Sequence, residues 1–143
     1  MSDWEYQSFI AEGDSLPTFC YRIKHNGNTV SVQFGPVKQY SGRPVYSMCL
    51  SIFRKRKRED IDFYSRAVTG TIGISGLLLA KESFDLLIDD VFKETDSDSI
   101  ILSVQGLDTR RYKVYKRSLE RMGYTESKLL GSRCMSRIYH RGQ

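Results

Sequence analysis

The stretch TGTIGISG, residues 69–76, sets a glycine at every third position, at Gly70, Gly73 and Gly76. It follows the run IDFYSRAV (61–68) and precedes a long apolar segment. Two readings fit it: a tight turn from a strand into a helix, or a loop that cradles a phosphate. A helix N-terminus exposes unpaired N–H groups at the positive end of the helix dipole, and glycines ahead of it let an anion reach the backbone. The spacing is neither the dinucleotide fingerprint G-x-G-x-x-G nor a P-loop, which needs Gly-Lys-Ser/Thr. Taken alone, the stretch leaves turn and anion site both open. Either way it makes residues 61–68 a strand and starts a helix near Ile74.

Downstream, Ile74, Leu77, Leu78, Lys81, Phe84, Leu87, Ile88, Val91 and Phe92 fall at spacings of three and four. All but Lys81 are apolar, which predicts an amphipathic helix ending near Glu94. SIILSV (99–104) reads as a buried strand. A second helix starts with Asp108 or Thr109 as its N-cap and stops at Gly123. Two strands, near 124–130 and 133–140, follow around Gly131-Ser132.

Upstream, Phe19, Tyr21 and Ile23 alternate with polar residues, and Val30, Val32 and Phe34 repeat the pattern after His25-Asn26-Gly27-Asn28. Asn-Gly between alternating runs signals a hairpin, because both residues tolerate positive φ. Gly35-Pro36 closes that second strand, and Ser41-Gly42-Arg43-Pro44 opens VYSMCLSIF (45–53), apolar on both faces like a central strand. Residues 1–17 read as an N-terminal arm or short helix, and 18–143 as a single domain. The predicted order is four strands, helix, strand, helix, two strands: an α+β fold, a mixed central sheet with two main helices. A strand-helix-strand piece within 61–104 favours at least one parallel pair.

From about residue 28 to 140 this layout resembles the GNAT (GCN5-related N-acetyltransferase) fold, in a degenerate, phage-encoded form. The glycine stretch before a long helix, and DTRRYKVYKRSLERMGY (108–124) as a second helix ending in Gly-Tyr, carry the likeness, while Thr69-Gly70 and Arg111 with Tyr115 match a looser pattern of small phage-encoded proteins. The resemblance implies that backbone groups of Thr71, Gly73, Ile74, Ser75 and Gly76 hold the pyrophosphate of acetyl-CoA, and that Tyr115 is the acid of an N-acyltransferase. The family loop usually reads Gln/Arg-x-x-Gly-x-Gly/Ala, whereas Gly70 and Gly73 occupy the Gln/Arg position here. The family tyrosine usually lies four residues before the terminal glycine, where this chain has Leu119. The resemblance therefore implies a GNAT-like scaffold without catalysis.

Charge supplies the leading functional expectation. The chain has 22 Lys and Arg against 17 Asp and Glu, a net charge of +5. The distribution says more than the total: Arg54, Lys55, Arg56, Lys57 and Arg58 run consecutively, and Arg110, Lys113, Arg117 and Arg121 share one side of the second helix, opposite Tyr112, Tyr115, Leu119 and Met122. Arg133, Arg137 and Arg141 add to them. Such clusters suit phosphate backbones, since arginine forks onto phosphate and each contact releases a counterion. The expected partner is RNA or a ribonucleoprotein, ahead of DNA. An acetyl-CoA-dependent acyltransferase is the alternative, and a protein–protein inhibitor or adaptor the third reading. The leading reading needs no cofactor.

Three cysteines without C-x-x-C spacing and two distant histidines predict neither a zinc site nor a disulfide framework, only buried reduced thiols. Asp85, Asp89 and Asp90 read as the solvated side of a helix, and Glu59, Asp60 and Asp62 as balance for the basic run. No apolar run is long enough to span a membrane. The polar, acidic start MSDWEYQSFIAEGDS lacks the pattern of a signal peptide, which predicts a cytoplasmic protein, in the host cytoplasm for a phage-encoded one.

Overall fold

The computed structural model describes the backbone of residues 3–25, 27–54, 59–62, 66–105, 109–129, 131 and 133–142. Side chains are described for 3–25, 27–50, 78–105, 113, 116–129, 131 and 133–142. The chain forms two compact units, residues 1–35 with 49–87, and residues 36–48 with 88–143. Strand order in the sheet is β1-β2-β3-β4-β6-β8-β7, with β5 paired to β4 off that path.

In the first unit, β1 (Glu5–Phe9) and β2 (Thr18–His25) run antiparallel, and β2 turns through a two-residue connection into β3 (Asn28–Tyr40). His25 pairs with Asn28 and Gly27 takes φ 79°, as the Asn-Gly signal requires. The register sets Phe19 opposite Phe34, Tyr21 opposite Val32 and Ile23 opposite Val30, so one face of the pair is apolar. Helix α1 (Arg66–Glu94) adds Phe84, whose ring meets Phe34 edge-on at 5.9 Å. The ring series continues from Phe34 to Tyr21 at 6.0 Å and from Tyr21 to Tyr6 at 5.6 Å. Aromatic pairs of this kind stabilise by about 0.5–1.5 kcal/mol beyond their area burial. Arg22 and Lys24 are exposed, and Cys20 is buried with its Sγ 3.3 Å from Gln33 Oε1. Burial pushes the Cys20 thiol pKa up, against the pull of Arg22 and with a push from Cys49. Of the three thiols expected to be buried, Cys20 and Cys134 are, while Cys49 is exposed.

In the second unit, β6 (Ser99–Gln105) runs parallel to β4 (Arg43–Arg54), with Val45 level with Ile101. This is a parallel pair of the kind the strand-helix-strand reading requires. Strand β8 (Cys134–His140) pairs antiparallel with β6 along its length, and β7 (Thr125–Ser127) joins its other side. Ile100, Leu102 and Val104 are buried on one face of β6, and Ile101 and Ser103 on the other, the double burial that SIILSV predicts. Helix α2 (Thr109–Glu120) ends where Gly123, at φ 88°, reverses the chain. Gly123 N–H donates to Glu120 O and Tyr124 N–H to Leu119 O, a Schellman motif with Leu119 and Tyr124 both buried.

The GNAT-like α+β layout expected from the sequence is not the fold. The structure is richer in sheet: among the described residues eight strands share it with two helices, in place of the helix-flanked sheet expected. Two local differences account for this. Residues 5–9, read as part of an arm or short helix, form β1. The strand expected over 61–68 is instead the short β5 (Glu59–Asp62), paired to β4 from Ser51↔Asp62 to Arg54↔Glu59, and α1 is already helical at Arg66. The glycine stretch is therefore helix interior, not a strand-to-helix loop. Each glycine costs about 1 kcal/mol there relative to alanine, but helix propagation adds a hydrogen bond per residue and tolerates the cost.

Candidate nucleic-acid interface

Helix α2 turns Leu119 inward, fully buried. With that side fixed, Lys113, Arg117 and Arg121, spaced by four, stand exposed in one row, Arg121 in the turn just past the helix. None of the three forms an ion pair with another described residue, whereas Lys116 reaches Glu126 at 3.3 Å. Like charges four apart cost a helix a few tenths of a kcal/mol. Helix stability is thus not what this row serves.

The other basic residues singled out in the sequence divide. Arg110 lies in α2 with its side chain outside the described residues, and the same holds for Tyr115. Arg54 ends β4 opposite Glu59 of β5, again without a described side chain, and Lys55, Arg56, Lys57 and Arg58 lie outside the described residues. Thr71, Gly73, Ile74, Ser75 and Gly76 sit inside α1 beyond its first turn, where helical hydrogen bonding takes up their N–H groups. The anion-cradling loop that the resemblance implied is not formed there.

Two arginines that looked like surface charge in the sequence close helix ends. Arg137 donates from one terminal nitrogen to Met122 O at 2.6 Å and lies over the Tyr139 ring at 4.6 Å. Arg141 donates to Phe92 O at 2.6 Å, Thr95 O at 2.9 Å and Ser97 O at 2.7 Å, and covers the Phe92 ring. Both sit where the carbonyl end of a helix dipole favours a cation.

Charge is unequal between the units. Residues 36–48 with 88–143 hold 13 Lys and Arg against 8 Asp and Glu, whereas the remaining residues hold 9 of each. The second unit accounts for the whole net charge. Within it, residues 109–143 carry 10 basic and 2 acidic side chains.

The second unit also holds a groove of about 340 Å³ lined by Tyr40, Arg43, Ile101, Gly123, Thr125, Leu129, Ser136, Arg137 and Ile138. Ser41 (φ 51°) and Gly42 (φ 78°) make a two-residue turn, which sets Tyr40 and Arg43 opposite each other on one face. Arg43 Nε donates to Ser99 Oγ at 2.9 Å. Ile101 pairs with Ile138, and Ser136 with Thr125, so strand register puts the four on a common face. Among the described residues no carboxylate lines the groove. The Ser41-Gly42 turn was visible in the sequence. The rest depends on the register of three strands, which no local pattern encodes.

Among the described residues no three His, Cys, Asp or Glu side chains gather as a metal site, and no helix is long and apolar enough to cross a membrane. Comparison with protein-family models, curated proteins and solved structures gives no match.

Proposed function

We propose that this protein binds an anionic macromolecule, RNA or a ribonucleoprotein ahead of DNA, without catalysis, using the cationic row of α2. The observation that carries the reading is the exposed row Lys113, Arg117 and Arg121, unpaired among the described residues, in a segment with 10 basic and 2 acidic side chains. Point charges held at helical spacing meet successive phosphates, and each contact releases counterions. Arg110 and the run of residues 54–58 extend the same chemistry in sequence. A cytoplasmic location goes with such a partner.

The test is fluorescence anisotropy of a labelled RNA oligonucleotide across a salt series. Affinity should fall steeply with salt. Reversing Lys113, Arg117 and Arg121 to glutamate should flatten the log–log salt slope by about 0.7–0.9 per lost contact, while thermal unfolding stays nearly unchanged. Binding indifferent to both salt and charge reversal would overturn the proposal.

A further inference from the structure

We infer that the groove at the β3–β4 turn is a pocket for one unpaired nucleotide, which makes single-stranded nucleic acid the preferred form of the ligand. The inference rests on the nucleic-acid reading above and adds to it a base-binding site that the α2 row does not supply.

Tyr40 is 53% exposed and Ile138 43% exposed, so the groove offers a ring and an aliphatic side chain to a ligand within the cationic unit. Ile101 lies beside Ile138 in the sheet, so the floor is apolar. Arg43 is fixed by its Nε bond to Ser99, which leaves the N–H groups of its two terminal nitrogens for a phosphate. The Thr125 hydroxyl stands on the same face as the isoleucines and suits a polar edge of a base or a sugar hydroxyl, beside Ser136, whose hydroxyl is hydrogen-bonded to Ser127 Oγ at 3.2 Å. A lining without carboxylates raises no repulsion against an anion.

Size and shape narrow the ligand. A volume of about 340 Å³ lies at the small end of ligand sites, enough for one nucleotide and too small for a base-paired step. A duplex hides the faces of its bases in the stack, whereas a single strand presents them to aromatic and apolar side chains. Tyr40 supplies the ring, Arg43 the charge, and both come from one short turn that fixes their separation.

The experiment compares a labelled single-stranded RNA with a duplex of equal length on the intact chain, alongside titration of uridine 5′-monophosphate followed by isoleucine methyl signals. Tyr40→Ala should weaken single-strand binding about tenfold and duplex binding less than twofold, with Tyr40→Phe restoring most of the loss. Tyr40 is exposed, so the change leaves folding intact. The mononucleotide should shift the Ile101 and Ile138 methyl signals, and inorganic phosphate alone should not. If charge reversal on α2 abolishes binding while Tyr40→Ala affects both ligands equally or neither, the groove inference fails and the α2 reading stands. If neither nucleic acid nor the mononucleotide binds, both fail together, and the groove belongs to a protein partner or to none.

Discussion

Ser103 is a small residue in an unusual position. It lies on β6 between Ser47 of β4 and Ser136 of β8, fully buried, and its hydroxyl has no hydrogen-bond partner among the described residues. A buried polar atom left unpaired carries its desolvation penalty without return. Ser103→Ala should therefore be neutral or stabilising, by up to about 1 kcal/mol, where a typical buried substitution destabilises. Urea unfolding of the two proteins measures this directly, and a clear loss of stability would mean that the hydroxyl has a role beyond packing. At the same scale, Arg137 and Arg141 show how one residue type splits by environment. The sequence displays a string of equivalent positive charges, but carbonyls at two helix ends engage these two and leave Lys113, Arg117 and Arg121 to solvent.

At the scale of the element, α1 holds the lesson. A glycine in a left-handed turn resists replacement, whereas a glycine in a helix interior is the weakest residue there short of proline. Gly73→Ala should thus raise stability by about 0.5–1 kcal/mol, read from the midpoint of thermal or urea unfolding. A strongly destabilised variant would point instead to a turn. Sequence reasoning placed the second half of α1 well, since Phe84, Leu87 and Val91 are all buried at helical spacing. It misplaced the start because the apolar and aromatic residues of IDFYSRAV (61–68) suit a strand and glycines mimic a break, and neither signal reports how far a nucleated helix propagates. Strands β2, β6, β8 and the first half of β3 were legible for the opposite reason, as alternating or apolar runs, but Gly35-Pro36, read as the end of β3, lies inside it, since the strand runs on to Tyr40. Helix α2 was legible at its end, where Gly123 stops it as expected. The groove was not, because Tyr40, Arg43, Ile101, Ser136 and Ile138 meet only once four strands are in register.

For the molecule as a whole, charge and connection are distributed by different rules. One unit is electrically balanced and the other holds the entire excess, so positive potential is concentrated in one part of the chain. Connection concentrates on β8, whose central position beside β6 and β7 is joined by the reach of Arg137 to the end of α2 and of the following Arg141 to the end of α1. Arg141→Met should lower stability by about 1 kcal/mol, and amide exchange should quicken first in the last turn of α1. Exchange that accelerates uniformly would assign Arg141 a global role instead.

That placement of Arg141 has a consequence in time. Its partner Phe92 lies 49 residues earlier in the chain. At the usual 5–20 residues per second of synthesis, the end of α1 waits roughly 2–10 seconds on the ribosome before the guanidinium that closes it has been made. Until then its last carbonyls face water, and α1 begins its existence as a helix still open at one end.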